Sequence, residues 1–221
     1  MSDRAAKDAL FASFGSVAKA LGNGHRAELV DVLAQGERSV DELASEIDES
    51  VANTSQHLQV LARSGLVRSR RNGTRVIYRL ASDRVAALWN ELCGVASTHL
   101  AELEVLATAY LGARSEIETV SAEELAARLA DGQVVLLDVR PAREYAAGHI
   151  AGAFPAPLDE LEQIASYLAS DKDVVAYCRG PYCVYADDAV RLLQARGISA
   201  RRLDAGFPEW RRAGYPVALA G

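Results

Sequence analysis

Hydrophobic positions in the first half of the chain recur every three to four residues, which predicts a mainly helical region. Two such segments, "FASFGSVAKALG" and "HRAELVDVLAQG", end at glycines, as helices commonly do. In "SVDELASEI", Ser39 and Glu42 have the spacing of a capping box, so a third helix is predicted to begin there. Apolar side chains continue at spacings of three and four over residues 84–111, which predicts one long helix.

Between these helices the pattern predicts a fourth helix followed by a β-hairpin. One face of "ESVANTSQHLQVLARSG" is formed by Val51, Thr54, Leu58 and Leu61. This helix is predicted to stop at Gly65, and residues 66–68 and 76–78 then read as short strands. Asn72 and Gly73 lie between the strands and are a strong hairpin signal. Helix, turn, helix and hairpin together predict a winged helix-turn-helix domain.

The second half alternates apolar strands with helical segments. Residues 134–139 and 174–177 are short apolar runs typical of buried strands, which predicts an α/β domain with a mostly parallel sheet. Active groups are then expected at the carboxyl ends of the strands. The predicted organisation is a winged helix-turn-helix domain over 1–112, a linker over 113–119 and the α/β domain over 120–221.

Composition narrows the class of protein. The 221 residues are 50% hydrophobic and 24% charged, as expected for a globular protein with one large or two ordinary domains. The charged start lacks the pattern of a signal peptide, and we find no apolar stretch of the length that spans a bilayer. Three cysteines argue against a secreted disulfide framework, so we expect a cytoplasmic protein with no membrane partner.

Charge is unevenly distributed, although the net charge is only −6. Residues 50–82 contain six arginines and no acidic residue, whereas a merely solvated face would mix both signs. In a winged helix-turn-helix the second helix enters the major groove of DNA, where polar side chains face base edges. The candidates on that helix are Asn53, Thr54, Ser55, Gln56 and His57. The candidates for phosphate or minor-groove contacts on the hairpin are Arg70, Arg71 and Arg75.

The segment "SQHLQVLARSGLVRSRRNGTRVIYRL" resembles the ArsR family of bacterial repressors, and the resemblance extends over residues 10–110. It implies a homodimer paired through its first and last helices and bound to an inverted-repeat operator in double-stranded DNA. Metal-sensing members carry a cysteine cluster on the third helix, where "VDELASEID" has neither Cys nor His. The last helix offers only Cys93 and His99 as strong ligands, so we expect no metal site and no cofactor.

Two of the three cysteines flank one short loop, residues 178–183, here called the cysteine loop. Cys178 directly follows a predicted strand and precedes a predicted helix, so backbone N–H groups and the helix dipole are expected to favour its thiolate. The expected anion-binding loop comprises Arg179, Gly180, Pro181, Tyr182 and Cys183. The Cys183 thiol could attack a persulfide on Cys178 or close a disulfide, and the alternative is a buried spectator.

The segments "LLDVRPAREYAAGHIAGAFPAPL" and "LDAGFPEWRRAGYPV" resemble a single rhodanese, or sulfurtransferase, domain over residues 118–219. The resemblance implies that Cys178 is catalytic, taking sulfur from a small sulfane-sulfur donor and passing it to a thiol acceptor. Cys183 stands where the family often has Arg or Lys, so the anion-binding cation is expected at Arg179, with Arg140 near the site. A phosphatase would need an arginine at position 184, which is Val184, so that reading is disfavoured.

Three functional hypotheses follow from the two halves. The first is a repressor whose DNA affinity depends on sulfur loading or oxidation of the cysteine loop. The second is a sulfurtransferase enzyme for which DNA binding provides a tether or autoregulation. The third is a repressor whose rhodanese domain is a non-catalytic interaction module.

Overall fold

A computed structural model describes residues 3–168 and 172–219. The chain divides into two compact units, Met1–Val95 and Ala96–Gly221. The division falls within a helix, earlier than the domain boundary predicted from the sequence at residue 112. Within the described residues, no helix is both long and apolar enough to cross a membrane.

The elements of the first unit match the predicted winged helix-turn-helix. In chain order they are α1 (Asp3–Leu21), α2 (Gly24–Ala34), β1 (Arg38–Ser39), α3 (Val40–Glu46), α4 (Val51–Arg63), β2 (Val67–Asn72), β3 (Arg75–Leu80) and α5 (Asp83–His99), which crosses the division. The capping box is confirmed, because the Ser39 hydroxyl accepts from the Glu42 N–H and the Glu42 carboxylate accepts from the Ser39 N–H. Gly73 has φ 62° at the hairpin tip, a conformation that glycine adopts without steric cost.

The core of the first unit lies between its helices. Leu29, Leu43 and Leu58, one from each of α2, α3 and α4, are fully buried. The hairpin strands β2 and β3 are antiparallel, and Val67 at their base is buried in the same core. The core therefore anchors the base of the hairpin, while the arginine-bearing tip remains exposed.

The prediction of one helix over residues 84–111 is wrong. Helix α5 ends at His99, and a separate helix, α6 (Ala101–Leu111), follows. Leu100 between them has an extended backbone, with φ −102° and ψ 97°. Because the apolar spacing continues on both sides of Leu100, and no glycine or proline marks the break, periodicity predicted a continuous helix.

The second unit is the predicted α/β fold. Its further elements are β4 (Thr119–Val120), α7 (Ala122–Ala130), β5 (Val134–Asp138), α8 (Ala142–Ala147), β6 (His149–Ile150), β7 (Phe154–Pro155), α9 (Leu161–Ala165), β8 (Asp173–Tyr177), α10 (Val184–Ala195), β9 (Ala200–Leu203), α11 (Phe207–Arg212) and β10 (Val217–Ala218). Five strands form a sheet in the order β4-β9-β8-β5-β7, and every pairing in it is parallel. Strands β6 and β10 form a separate antiparallel pair.

Side chains of the central strand β8 alternate between two cores, as the pleat of a strand requires. Val174, Ala176 and, just beyond the strand, Cys178 lie in the core shared with α9 and α10. Val175 and Tyr177 lie in the core shared with α7 and α11. The strand thus delivers Cys178 to the carboxyl edge of the sheet, on the side covered by α10.

Candidate functional site

The cysteine loop joins β8 to α10 and is closed by a disulfide between Cys178 and Cys183. Their Cα atoms are 6.3 Å apart, within the usual range for a disulfide. The Cys183 N–H donates to the carbonyl oxygen of Gly180 at 3.2 Å, which forms a tight turn. Cys178 is 2% exposed, whereas Cys183 is only half-buried. Of the alternatives for Cys183, the structure therefore contains the bridge across the loop.

Arg179 connects the cysteine loop to helix α8. Its Nη2 lies 2.7 Å from Oε1 of Glu144, and its Nε lies 3.1 Å from the same oxygen. The pair joins opposite charges, so its hydrogen bonds are charge-assisted, and the Glu144 side chain is fully buried at the wall of the site. The Arg179 guanidinium also lies 5.8 Å from the centre of the Tyr185 ring. In this arrangement its charge is balanced by Glu144 while it braces the loop.

Arg140 belongs to a buried network at the carboxyl ends of β5 and β8. Its Nη2 donates to Asp138 Oδ2 at 2.6 Å and to the Gly148 carbonyl at 2.8 Å. The Tyr177 hydroxyl donates to the same carboxylate at 2.5 Å and accepts from the Ile150 N–H. Burial lowers the pKa of Arg140, but hydrogen bonding and charge from Asp138 outweigh it and the net pKa is raised. Burial and the Asp138 charge raise the pKa of Tyr177. Arg140 therefore fixes the strand ends beside the cysteine loop.

Three charged side chains hold the cysteine loop from the side of α10. Arg114 donates from Nη1 to the Pro181 carbonyl at 2.7 Å and from Nη2 to the Cys183 carbonyl at 3.4 Å. Its Nε lies 2.5 Å from Oδ2 of Asp187, whose side chain is fully buried. Arg202 donates to the same Pro181 carbonyl at 3.4 Å. Burial, followed by the positive charge of Arg114, lowers the pKa of Arg202.

The backbone of the cysteine loop also rests directly on the turn before α11. A Cβ atom added at Gly206 would lie 2.3 Å from the Arg179 carbonyl oxygen and 2.4 Å from the Gly180 nitrogen. The Phe207 N–H donates to the Cys178 carbonyl at 3.1 Å. Only a residue without a side chain allows so close an approach.

The predicted base-contacting residues of α4 differ in exposure. Asn53 and Gln56 are exposed, and Ser55 and His57 are half-buried. Thr54 corrects the predicted set, because its side chain is fully buried and cannot reach a base edge. The spacing of Thr54 along the apolar face of the helix correctly indicated burial, whereas its hydroxyl group suggested a DNA contact.

A cluster that the sequence did not indicate surrounds the start of α4. Glu49 accepts from Asn53 Nδ2 at 3.0 Å and from the Ser50 N–H at 3.1 Å. His25 Nδ1 lies 3.4 Å from the same carboxylate, and the His25 and His57 rings meet edge to face at 5.5 Å. The hydrogen bond from Asn53, followed by that from Ser50, lowers the pKa of Glu49. The cluster fixes the orientation of the Asn53 amide at the start of the helix.

The arginines of the hairpin are not equivalent. Arg70 forms an ion pair with Glu37, which lies outside the acid-free window of residues 50–82. Arg71 and Arg75 are exposed on the hairpin. The absence of acidic residues from 50–82 therefore did not show that Arg70 is unpaired, because the fold places Glu37 beside it.

Family comparisons agree with this division of the chain. The family model of the Helix-turn-helix domain matches residues 21–70, and that of the Rhodanese-like domain matches residues 121–213. The HTH-type transcriptional regulator Rv0324 of Mycobacterium tuberculosis is 46% identical over 216 residues, which cover 98% of this chain and 94% of that protein. This chain belongs to the HTH-type transcriptional regulators. In this regulator a helix-turn-helix domain is followed by a rhodanese-like domain.

Two further proteins are similar to one half of the regulator each. A Sulfurtransferase of Allochromatium vinosum is 33% identical over 102 residues, which are 46% of the regulator and 94% of that protein. The homodimeric winged helix-turn-helix DNA-binding domain of Mb0332 from Mycobacterium bovis, described as a possible ArsR-family regulator, is 44% identical. That match covers 45% of the regulator and 91% of the solved chain, with a TM-score of 0.42.

Sequence reasoning located both cysteines of the regulator but missed what holds their loop. Arg114 lies in the predicted linker, where nothing in the local sequence indicates a partner. Gly206 lies in the segment "LDAGFPEWRRAGYPV", and the resemblance of this segment to a rhodanese domain was the signal that could have indicated it. Arg140 and Arg179 were predicted to lie at the site, but the sequence did not indicate that each pairs with a buried carboxylate.

Proposed function

We propose that the regulator is a repressor that binds an inverted-repeat operator in double-stranded DNA as a homodimer. We further propose that the covalent state of Cys178 and Cys183 sets its affinity for that operator. The observation that carries this proposal is the disulfide that closes the cysteine loop in a chain that also contains a DNA reader. Two covalent states of one loop provide the alternatives that a switch requires.

The first unit supports DNA binding and dimerisation. Asn53, Gln56, Arg71 and Arg75 are exposed on α4 and the hairpin, where a winged helix-turn-helix meets DNA. Helix α1 exposes large apolar side chains, including Phe11 at 60%. The other large apolar side chains that α1 and the first-unit part of α5 expose are Leu10, Phe14, Leu88, Leu92 and Val95. Exposed apolar surface of this kind is typical of a protein interface, and a second copy offers a matching face.

The proposed chemistry requires only the two cysteines and a polysulfide. The Cys178 thiolate attacks a polysulfide sulfur, forms a persulfide and displaces a polysulfide shorter by one sulfur atom. The Cys183 thiolate then attacks Sγ of Cys178, the bond to the outer sulfur breaks, and hydrosulfide leaves. The two cysteines have lost two electrons, and the transferred sulfur has gained them. A cellular thiolate begins the reversal by attacking Cys183, the more exposed residue of the pair, which releases the Cys178 thiolate and leaves a mixed disulfide on Cys183. A second cellular thiolate attacks that mixed disulfide, releases Cys183 as a thiolate and leaves as a disulfide of the two cellular thiols.

Operator binding tests this proposal with the full-length chain. A DNA duplex selected by the reduced protein from a randomised pool would serve as probe, with a scrambled duplex as control. We expect polysulfide treatment to change the affinity for the selected duplex at least tenfold, while mass spectrometry finds the disulfide at Cys178 and Cys183. Cys178→Ser and Cys183→Ser should abolish the response, and Cys93→Ser should retain it. An unchanged affinity of the oxidised wild type, or an equal response of Cys178→Ser, would refute the proposal.

A second candidate function is sulfurtransferase activity in its own right. The similarity to the Sulfurtransferase of Allochromatium vinosum over nearly all of that protein supports it. In this function the Cys178 persulfide, formed from thiosulfate with release of sulfite, passes its outer sulfur to cyanide or to a thiol. Rapid steady-state turnover that is lost in Cys178→Ser, together with an operator affinity that polysulfide leaves unchanged, would favour this enzyme. Loss of neither activity nor regulation in Cys178→Ser would instead favour an interaction module.

A further inference from the structure

Arg114 lies in the segment that joins α6 to β4, and its side chain contacts the cysteine loop. We infer that Arg114 is a positioning residue that holds the cysteine loop, from the segment joining α6 to β4, in the conformation that the disulfide closes. The inference rests on the proposed function, since it concerns which contacts depend on the covalent state of the same pair of cysteines. It is drawn from three contacts of one guanidinium group.

Two of these contacts are made to the backbone of the cysteine loop. Arg114 donates to the carbonyl oxygens of Pro181 and Cys183, at 2.7 and 3.4 Å. Cys183 is also the residue whose Sγ is bonded to Cys178, so the disulfide and the hydrogen bond restrain the same residue. Breaking the disulfide removes the covalent tether across the loop and allows both carbonyl groups to move away from Arg114. The two hydrogen bonds therefore depend on the state of the cysteines.

The third contact keeps Arg114 in place when the loop changes. Its Nε lies 2.5 Å from Oδ2 of Asp187, a fully buried carboxylate in the first turn of α10. Arg202 also lies close to this carboxylate, with its Nε 3.4 Å from Asp187 Oδ1. Neither of these two atoms has a hydrogen-bond partner among the described residues. Because Arg114 makes the well-formed bond to a buried charge, its departure would be costly, and it stays at Asp187 in both states.

The segment that carries Arg114 is also held by a contact that does not involve the cysteine loop. Arg191 of α10 donates to the carbonyl oxygens of Leu111 and Ala113, at 3.4 and 3.1 Å. Leu111 is the last residue of α6, so these bonds fix the end of that helix. Opening the cysteine loop consequently releases the contacts of Arg114 with the loop but leaves those of Arg191 intact. Arg191 is therefore the matched control for Arg114.

Thermodynamic linkage makes the coupling measurable without DNA. If the disulfide strengthens the Arg114 contacts, then Arg114 favours the disulfide by the same factor. The measured reaction is reduction by dithiothreitol, one of whose thiolates attacks Cys183 Sγ and breaks the protein disulfide. Its second thiolate then displaces Cys183 and closes a cyclic disulfide. Dithiothreitol loses two electrons, and the two cysteines gain them with two protons.

The test measures this equilibrium constant in the full-length protein by thiol alkylation and mass spectrometry. We expect Arg114→Gln to disfavour the disulfide about tenfold, as loss of charge-assisted hydrogen bonds predicts. Arg191→Gln should leave the equilibrium within about twofold of wild type, even where it lowers the unfolding temperature. Arg114→Lys keeps a charge beside Asp187 but cannot bridge it to both carbonyl groups, so an intermediate shift is expected. This variant carries the test if Arg114→Gln does not fold.

The possible outcomes separate this inference from the proposed function. An equilibrium constant unchanged in both Arg114 variants, or shifted equally in Arg191→Gln, would overturn the inference. If the Arg114 variants shift the equilibrium while operator affinity of the wild type ignores the disulfide, the positioning role stands and the proposed regulation fails. If operator affinity of the wild type responds to the disulfide but Arg114 has no effect on the equilibrium, the proposed regulation stands without this coupling.

Discussion

Replacing Gly206 by alanine tests how closely the cysteine loop is held. The added Cβ would lie 2.3 Å from the Arg179 carbonyl oxygen, whereas ordinary contact begins at 3.4 Å, so the two backbones must separate by about 1 Å. Alanine readily adopts the φ of −112° and ψ of −175° found at Gly206. The cost is therefore one of overpacking alone, about 1–3 kcal/mol.

The shift would act on the disulfide as well as on stability. Arg179 and Gly180 lie between the two cysteines, whose Cα separation of 6.3 Å is already near the upper end of the range for disulfides. A displacement of about 1 Å in this backbone disturbs that separation, and opening the disulfide relieves part of the overpacking. If about 1 kcal/mol is relieved, the equilibrium for disulfide formation falls about fivefold.

Two measurements and one matched control follow. Unfolding in urea would be followed by Trp210 fluorescence in a Trp89→Phe background, and the disulfide equilibrium by alkylation in dithiothreitol buffers. Gly197→Ala is the control, since Gly197 has φ 77° and an added Cβ there would meet no atom within 4 Å outside the neighbouring residues. It should lose about 1 kcal/mol through backbone strain without changing the cysteine equilibrium. If Gly206→Ala shifts neither quantity, or if Gly197→Ala shifts the cysteine equilibrium equally, the close approach does not control the loop.

Three further substitutions test other parts of the structure. Arg71→Ala should weaken binding to all DNA sequences alike and reduce the slope of log K against log salt concentration by ~1. Fluorescence anisotropy at several salt concentrations measures both, and a loss of base preference with an unchanged slope would contradict the prediction. Arg140→Met leaves the buried Asp138 carboxylate without its bidentate partner. It should cost about 3–5 kcal/mol in urea unfolding, and a loss below about 1 kcal/mol would contradict the buried pair. Because the pKa of Tyr177 is raised in the fold, its contribution to stability is present below about pH 10 and declines as pH rises further, by up to ~1.4 kcal/mol per pH unit. Tyr177→Phe should be less stable at pH 8 but should lack this alkaline decline in urea unfolding, and parallel pH profiles would contradict it.

Local sequence signals were sufficient for most elements of the first unit. The capping residues at Ser39 and the turn at Gly73 act over a few residues, so their effect can be read directly from the sequence. The break at Leu100 has no such signal, because both flanking helices continue the same apolar spacing. For Thr54 two signals conflicted, and burial in the core prevailed over its capacity for hydrogen bonding.

The position of the candidate site could be predicted from the sequence, but the residues that hold the cysteine loop in place could not. The order of strand, loop and helix placed Cys178 at a sheet edge because parallel topology dictates where strand ends meet. Arg114, Glu144 and Gly206 approach the cysteine loop from segments distant in the sequence, so only the tertiary fold reveals these contacts. Sequence supplied the charge of an arginine but not the buried carboxylate that balances it.

The balance of charge around the cysteine loop bears on which sulfur chemistry it suits. Arg179 forms its ion pair with fully buried Glu144, and Arg140 forms its own with buried Asp138. A dianion such as thiosulfate would have to compete with these carboxylates for either guanidinium, and an ion pair broken inside a protein leaves a buried charge at high cost. Closure of the disulfide makes no such demand, because the Cys183 thiolate and Sγ of Cys178 are already joined by one short loop. The electrostatics therefore disfavour a donor that must be held as a dianion by either guanidinium, whereas disulfide closure within the loop needs no such cation.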